Sequence, residues 1–324
     1  MIYELDKNVK VLVANTFDYS KLLELKSVKQ LIRCLNIKQP HNCYNYYFFW
    51  GLNNDEFYLL KEMYNIKKDN DVLFWIGDEE GYLPSNETFE RFKFIFKVHL
   101  KDKDAVRIEN GINIYREGLY HFPLLTIDDV PELPVIPFNK RKYNLYFSGN
   151  LNKNRLSLYR SLNNKLGICA NLIDFMLFHN IRGGDRLFKL FYDGKSFDFS
   201  DKYYNSYLKF YSGFNNGSDY KTYAEYLQNS IVVLSPKGFY STECFRLYEA
   251  MRQGCIVITE KLPKTYCYQD APCILINSWK ELSKVIKDID ELLETFNPYS
   301  IRDFYDRKLS VKGIADYIYA ILEK

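Results

Sequence analysis

The chain has 324 residues, 47% of them hydrophobic, with 44 Lys and Arg against 41 Asp and Glu for a formal net charge of +3. So small a basic excess excludes an affinity built on neutralising phosphates along a nucleic-acid backbone, and no nucleic-acid partner is expected. The length predicts two domains of roughly 150 residues each.

Aromatic residues make up 17% of the chain, with 29 Tyr and 24 Phe. The surplus reads first as codon bias in an A/T-rich genome, with large aromatic cores or a sugar-stacking surface as alternatives. The seven Cys are scattered without a C-x-x-C pair. That pattern argues against a disulfide framework and a structural zinc site, and suits a reducing compartment. The opening MIYELDKNVK lacks a signal-peptide core and no apolar run approaches a membrane span, so the expected location is cytoplasmic, with peripheral contact at a membrane surface left open.

In chain order the first half alternates apolar runs with helical patterns. VKVLVAN, NYYFFWG, DVLFWIG and KFIFKVHL read as strands, and residues 20–36, 54–66 and 86–94 as the helices between them. This alternation predicts an α/β domain with a parallel sheet over residues 1–130. DDVPELPVIPFNKRK then breaks the periodicity with three prolines and a charge cluster, so residues 131–142 read as a linker. A second α/β series spans residues 143–300: YNLYFSG, a helix over 154–165, an irregular aromatic stretch, a helix over 219–229, then SIVVLSP, a further helix, CIVITE, CILINS and a helix over 278–295. Residues 301–324 close with an amphipathic helix placed to pack back on the N-terminal domain. Open parallel sheets bind ligands at the carboxyl ends of their strands, so a cleft between two such domains is the expected site.

The densest chemistry lies in SPKGFYSTECFRLYEAMRQGCIVITE, residues 235–260. The pattern predicts a helix over 242–253, with Ser241 or Thr242 as N-cap and Gly254 at C′. Cys244, Leu247, Tyr248 and Met251 fall on its core side, and Thr242, Arg246, Glu249 and Gln253 in a stripe opposite. That stripe reads in two ways. It is a solvated face with an Arg246–Glu249 pair, or it faces a ligand. In the second reading the turn PKGFYST presents amides and the positive end of the helix dipole to a diphosphate, with Lys237, Gly238, Ser241 and Thr242 contributing. Glu249, about 10 Å along the axis by helical rise, is then placed for two ribose hydroxyls.

The stretch YAEYLQNSIVVLSPKGFYSTECFRLYEAMRQGCIVIT resembles the C-terminal signature of exostosin-like glycosyltransferases, in which an L..S...L.P.G strand and turn leads into S..FR..EA...GCIPV. YNLYFSGNLNKNR resembles the same family's F.G....R segment. The resemblance covers about 110 residues between Tyr143 and Pro263. It implies a GT-B architecture, two Rossmann-like domains facing across a cleft, with a nucleotide-sugar donor on the C-terminal one. It further implies that Glu249 binds ribose, that the Ser241/Thr242 helix start with Lys237 or Arg246 binds diphosphate, and that Gly149, Asn150 and Arg155 form the phosphate-facing turn of another βα loop. Two departures stand out. Val257 replaces a frequent Pro, and Ser241 occupies the position where many retaining GT-B enzymes carry a second Glu, which favours inversion.

Inverting transfer needs a base for the acceptor hydroxyl. Asp78 and then Glu79, in LFWIGDEEGYLP at the carboxyl end of a strand, are the candidates, against a solvated acidic loop; His99 and His121 are the alternatives, against structural histidines. RGGDR, residues 182–186, is a donor clamp or a surface turn. Of the Asp-x-Asp triplets only Asp102/Asp104 follows a strand, within a charged run where such a triplet arises by chance; with Lys237, Arg246 and a helix dipole available for the diphosphate, no metal or other cofactor is expected. The expected function is a glycosyltransferase moving a sugar from a nucleoside diphosphate, UDP favoured, to a glycan hydroxyl. The alternatives are a GDP-fucose-dependent fucosyltransferase and a non-catalytic nucleotide- or carbohydrate-binding protein.

Overall fold

A computed structural model describes residues 2–6, 8–14, 25–38, 44–62, 70–77, 80–163, 172–173, 175–177, 179, 181–213 and 216–323. The chain divides into two compact units. The first comprises Met1–Asp129, Pro263–Ala271 and Asp306–Lys324, the second Val130–Leu262 and Pro272–Tyr305. Each is an α/β unit on a six-stranded, mostly parallel sheet, as the alternation predicts.

In the first unit, β1 (Ile2–Asp6) pairs antiparallel with β2 (Val9–Val13). β3 (Asn45–Trp50), β4 (Asp71–Ile76), β5 (Phe94–Lys97) and β8 (Leu119–His121) then add in parallel, in the order 1-2-3-4-5-8. Every residue of β4 is buried, which its continuous apolar run requires of a strand covered on both faces. Phe74 stacks between Phe48 at 4.5 Å and Phe96 at 5.2 Å, so part of the aromatic surplus is core. Between β5 and β8 lies a hairpin, β6 (Arg107–Glu109) and β7 (Ile112–Ile114), closed by Asn110 and Gly111 at φ 50° and 78°. Both central residues lie in the left-handed region, as a two-residue type I′ turn demands. The helix Val311–Leu322 packs on Leu25–Lys38, and Tyr44 Oη donates to Leu322 O at 3.3 Å.

The second unit orders its sheet β10 (Phe197–Asp198), β11 (Ser206–Tyr211), β9 (Tyr143–Asn150), β12 (Ser230–Ser235), β13 (Ile256–Glu260) and β14 (Cys273–Ile276), all parallel but β10. From β9 the chain crosses to β11 on one side, and from β12 to β13 on the other. The two connections diverge, so the crevice beyond Asn150 and Ser235 is a topological switch point, where α/β sheets take their ligands.

The proline-rich residues 130–142 run along this unit. Arg141 donates to Ile136 O at 3.1 and 3.0 Å, to Ser230 O at 2.6 Å and to Gln253 O at 2.9 Å. Arg252 Nη2 donates to Val130 O at 2.9 Å. Two cations thus satisfy carbonyls that the prolines leave without a ladder. Among the described residues no helix is long and apolar enough to cross a membrane.

Candidate functional site

The helix of the second unit's signature spans Phe245–Arg252, three residues shorter at its start than the pattern predicts. Its N-cap position is Cys244, with extended backbone and no side-chain cap. Ser241 and Thr242 have other duties: Ser241 Oγ accepts from Glu243 N at 3.1 Å, and Thr242 Oγ1 donates to Lys261 O at 3.1 Å. The far end is as expected. Gly254 has φ 67°, its N–H reaches Met251 O at 2.9 Å, and Cys255 N reaches Ala250 O at 2.9 Å, a Schellman closure.

The polar stripe is not a solvated face. Leu247, Tyr248 and Met251 are buried as expected, but Glu249 and Gln253 on the stripe are buried too, at 2% and 0% exposure. Residues 130–135 cover that side, with the Gln253 carboxamide, in its hydrogen-bonded orientation, pairing with Leu133 N and O. Amphipathic spacing could not foresee a cover supplied from a hundred residues upstream.

Glu249 Oε2 accepts from Tyr223 Oη at 2.8 Å, while its Oε1 is enclosed without a hydrogen-bond partner. Burial pushes the Glu249 carboxyl up, against the Tyr223 hydrogen bond and the Arg252 and Arg246 charges. Arg246 Nε is likewise enclosed and unpartnered. Oε1 can accept from a hydroxyl or a water, and Nε can donate to one.

Above this pair the predicted cations converge on Gly149. A Cβ there would lie 2.8 Å from Arg246 Nη2 and 3.2 Å from Arg155 Nη1, so only glycine lets both guanidinium groups close over the end of β9. Arg246 lies over the Phe147 ring at 4.9 Å and donates to Ser148 O at 2.5 Å. Arg155 Nη1 donates to Asn150 O at 2.9 Å and Asn150 Oδ1 at 2.6 Å.

The β12 turn completes the group. Gly238 N donates to Ser241 O at 2.8 Å, and Lys237 N to Glu260 Oε2 at 3.1 Å. Two amides that the glycine turn appeared to offer a diphosphate are therefore spent within the protein. What the site presents instead is charge, from Arg155, Arg246 and the half-exposed Lys237. Gly149, Asn150, Arg155, Lys237, Gly238, Arg246 and Glu249 thus meet at one switch point, with Ser241 and Thr242 on its rim. Tyr223, Asn154 and Glu260 are additional members. Glu260 carried a signal, a carboxylate at the carboxyl end of a strand; Tyr223 and Asn154 carried none.

Asp78 and Glu79 lie outside the described residues. His99 and His121 are buried in the first unit, His99 at φ 57° and His121 edge-on to Tyr268 at 5.7 Å. Asp102 Oδ1 accepts from Asn113 Nδ2 at 2.7 Å and Lys264 N at 3.0 Å, which gives it a structural task. Among the described residues no group of three or more His, Cys, Asp or Glu is placed to hold a metal. RGGDR is a helix start whose Arg182, Asp185 and Arg186 are exposed and whose Gly184 is buried, with Gly183 at φ 100° and Asp185 paired to Lys153 at 3.6 Å.

Residues 209–297, within the second unit, match the family model of the RXYLT1 C-terminal domain. No curated protein matches the chain. Among solved structures the chain is similar to TarM, at TM-score 0.42 and 12% identity over 83% of this chain and 57% of that one. It is also similar to AviGT4, a glycosyltransferase involved in avilamycin A biosynthesis, at TM-score 0.44 and 11% identity over 96% of both chains. A third is WaaG, a glycosyltransferase involved in lipopolysaccharide biosynthesis, at TM-score 0.44 and 13% identity over 97% of this chain and 99% of that one. The chain thus spans little more than half the length of TarM.

Proposed function

We propose that the chain transfers a sugar from a nucleoside-diphosphate sugar, UDP-linked in the favoured case, to a glycan hydroxyl, on a GT-B architecture, with inversion and without a metal. The observation that carries the reading is the convergence of Arg155 and Arg246 over Gly149 at the switch point of the second unit, with Lys237 on the adjoining turn. Three cations around one side-chain-free strand end suit a diphosphate, whose charge grows as it leaves the anomeric carbon.

In the proposed reaction the acceptor oxygen attacks that carbon as the bond to the diphosphate oxygen breaks. The hydroxyl proton passes to a carboxylate, for which Asp78 and then Glu79 are the candidates. The departing charge is met by Arg155, Arg246 and Lys237. Glu249, held by the Tyr223 bond to Oε2, accepts from a ribose hydroxyl at its unpartnered Oε1 once its enclosure parts. Ser241 and Thr242 line the same rim, and Asn150 and Gly238 shape the turns. Cytoplasmic location, with contact at a membrane surface, belongs to the same proposal.

The test is calorimetric titration of UDP, GDP, CMP and their common sugar conjugates against the wild type, Arg246→Ala and Glu249→Ala. Binding of one nucleotide that is lost in both variants supports the reading and names the donor class. Binding unchanged in Arg246→Ala, or no binding by a folded wild type, refutes it.

A further inference from the structure

The turn that carries Lys237 is held from two sides. From the β9 side, Asn154 Nδ2 donates to Gly238 O at 3.0 Å and also to Phe239 O, while Arg155 Nε approaches Lys237 O at 3.4 Å. Those bonds take up carbonyls. From the β13 side a single carboxylate takes the opposite kind of group. Glu260, the last residue of β13, accepts from the Lys237 amide at 3.1 Å through Oε2 and from Trp279 Nε1 at 2.6 Å through Oε1. Trp279 is buried and fixed, so the carboxylate is fixed in turn, and with it the backbone from which the Lys237 ammonium extends.

A carboxylate beside a site for an anion is an unfavourable choice on charge alone. Its presence calls for a compensating task, and the geometry shows one. Both neighbours of Glu260 are N–H donors on different oxygens, and a carboxylate satisfies both at once where a carboxamide would set an NH2 against one of them. We infer that Glu260 is a positioning residue of the donor site, which sets the Lys237 ammonium for the diphosphate by holding the Lys237 amide. It touches neither donor nor acceptor. The inference rests on the proposed reading of the site, and the experiment separates the two.

Glu260→Gln keeps the volume but replaces one acceptor oxygen by a donor NH2. The Trp279 bond is the shorter and Trp279 the more buried partner, so the carboxamide oxygen goes to Trp279 and the NH2 opposes the Lys237 amide, releasing the turn. UDP and GDP are titrated against wild type, Glu260→Gln, Lys237→Ala and the double variant, with uridine and guanosine as probes that lack the diphosphate. The expected loss for the nucleoside diphosphate is about tenfold in Glu260→Gln, the factor of one good hydrogen bond. In the Lys237→Ala background the same substitution causes a loss of less than about twofold, because the ammonium it acts through is gone. Nucleoside affinity is unchanged by Glu260→Gln. Adding Trp279→Phe removes the competing donor, lets the carboxamide oxygen turn back to Lys237, and restores most of the affinity.

Equal losses in both backgrounds, or an equal loss for the nucleoside, would overturn the inference, since Glu260 would then act on the unit as a whole. So would a wild type that binds UDP and a Lys237→Ala that weakens it while Glu260→Gln does nothing; that outcome leaves the donor site standing. Absence of binding by any nucleotide removes the donor reading and the inference together. Thermal unfolding of each variant identifies losses that come from unfolding alone.

Discussion

Glu249 allows stability and binding to be separated in one position. Its carboxylate is enclosed, shares one hydrogen bond with Tyr223 at 2.8 Å, and is pushed up by burial despite Arg252 and Arg246 nearby. Glu249→Ala leaves the Tyr223 hydroxyl without its acceptor and opens a cavity where the side chain was. An orphaned buried hydroxyl together with a cavity costs about 3–5 kcal/mol, which for a unit of this size lowers the unfolding temperature by on the order of 10 °C. Glu249→Gln is different in kind. The carboxamide oxygen still accepts from Tyr223, and the charge whose desolvation dominates is gone. We expect its stability within about 1 kcal/mol of wild type, with nucleotide affinity nonetheless lost because Oε1 no longer accepts. The assay is urea unfolding monitored by tryptophan fluorescence and circular dichroism, beside calorimetric titration. If Glu249→Gln unfolds as readily as Glu249→Ala, the arginines compensate the carboxylate and the argument from burial is wrong.

Other outcomes follow from the same geometry. Gly149→Ala should keep the unit folded, with a loss of about 1 kcal/mol, while displacing the Arg246 and Arg155 guanidinium groups, so nucleotide affinity falls more than stability does; calorimetry beside thermal unfolding compares the two. Gly254→Ala places a Cβ 2.5 Å from Pro298 O at a φ of 67°, and should cost about 2 kcal/mol or more, read as a shift in urea midpoint at unchanged slope. Asp102→Ala should lower the stability of the first unit yet leave nucleotide affinity unaltered with or without chelator; a chelator-sensitive affinity would argue for a metal after all. Burial raises the Glu249 and Glu260 carboxyls, so between the ordinary carboxyl value and the raised ones the folded chain holds protons that the unfolded chain has released. Stability therefore falls as pH rises through that window, and the fall should be shallower in Glu249→Gln, as urea midpoints between about pH 4 and pH 7 will show.

Strands buried on both faces were legible because a continuous run such as DVLFWI has few other uses, and the NYYFFW and SIVVLS strands sit where their runs place them. Helix ends were less so. The signature helix begins late because Thr242 and Glu243 have partners outside it, and residues 278–295, read as one helix, break into Trp279–Glu281, Leu282–Val285, Ile286–Asp288 and Ile289–Thr295. SYLKFY, which became β11, has a plain alternation, yet it lay in a stretch read as irregular because the aromatic surplus masked it. Asn110-Gly111 is itself a two-residue hairpin signal, but the strands it joins are only three residues each, too short for a periodic pattern to mark them. Of the site, the glycine and the cations were visible as a motif. The Tyr223 bond, the Glu260 bond and the cover of residues 130–135 arise between segments distant in sequence, where no local pattern records them.

The two units are not consecutive lengths of chain. The first is assembled from three stretches, and its last, residues 306–324, leaves the ribosome after the whole of the second unit. Until then helix Leu25–Lys38 lacks the apolar partner that Val311–Leu322 provides, and the earliest-synthesised unit is the later one to close. The stretches of the second unit end at Tyr305, so during synthesis the cluster around Gly149 has all its residues before its older neighbour does. A nascent chain stalled after residue 305 is accordingly the state in which Leu25–Lys38 is open to chaperones and proteases.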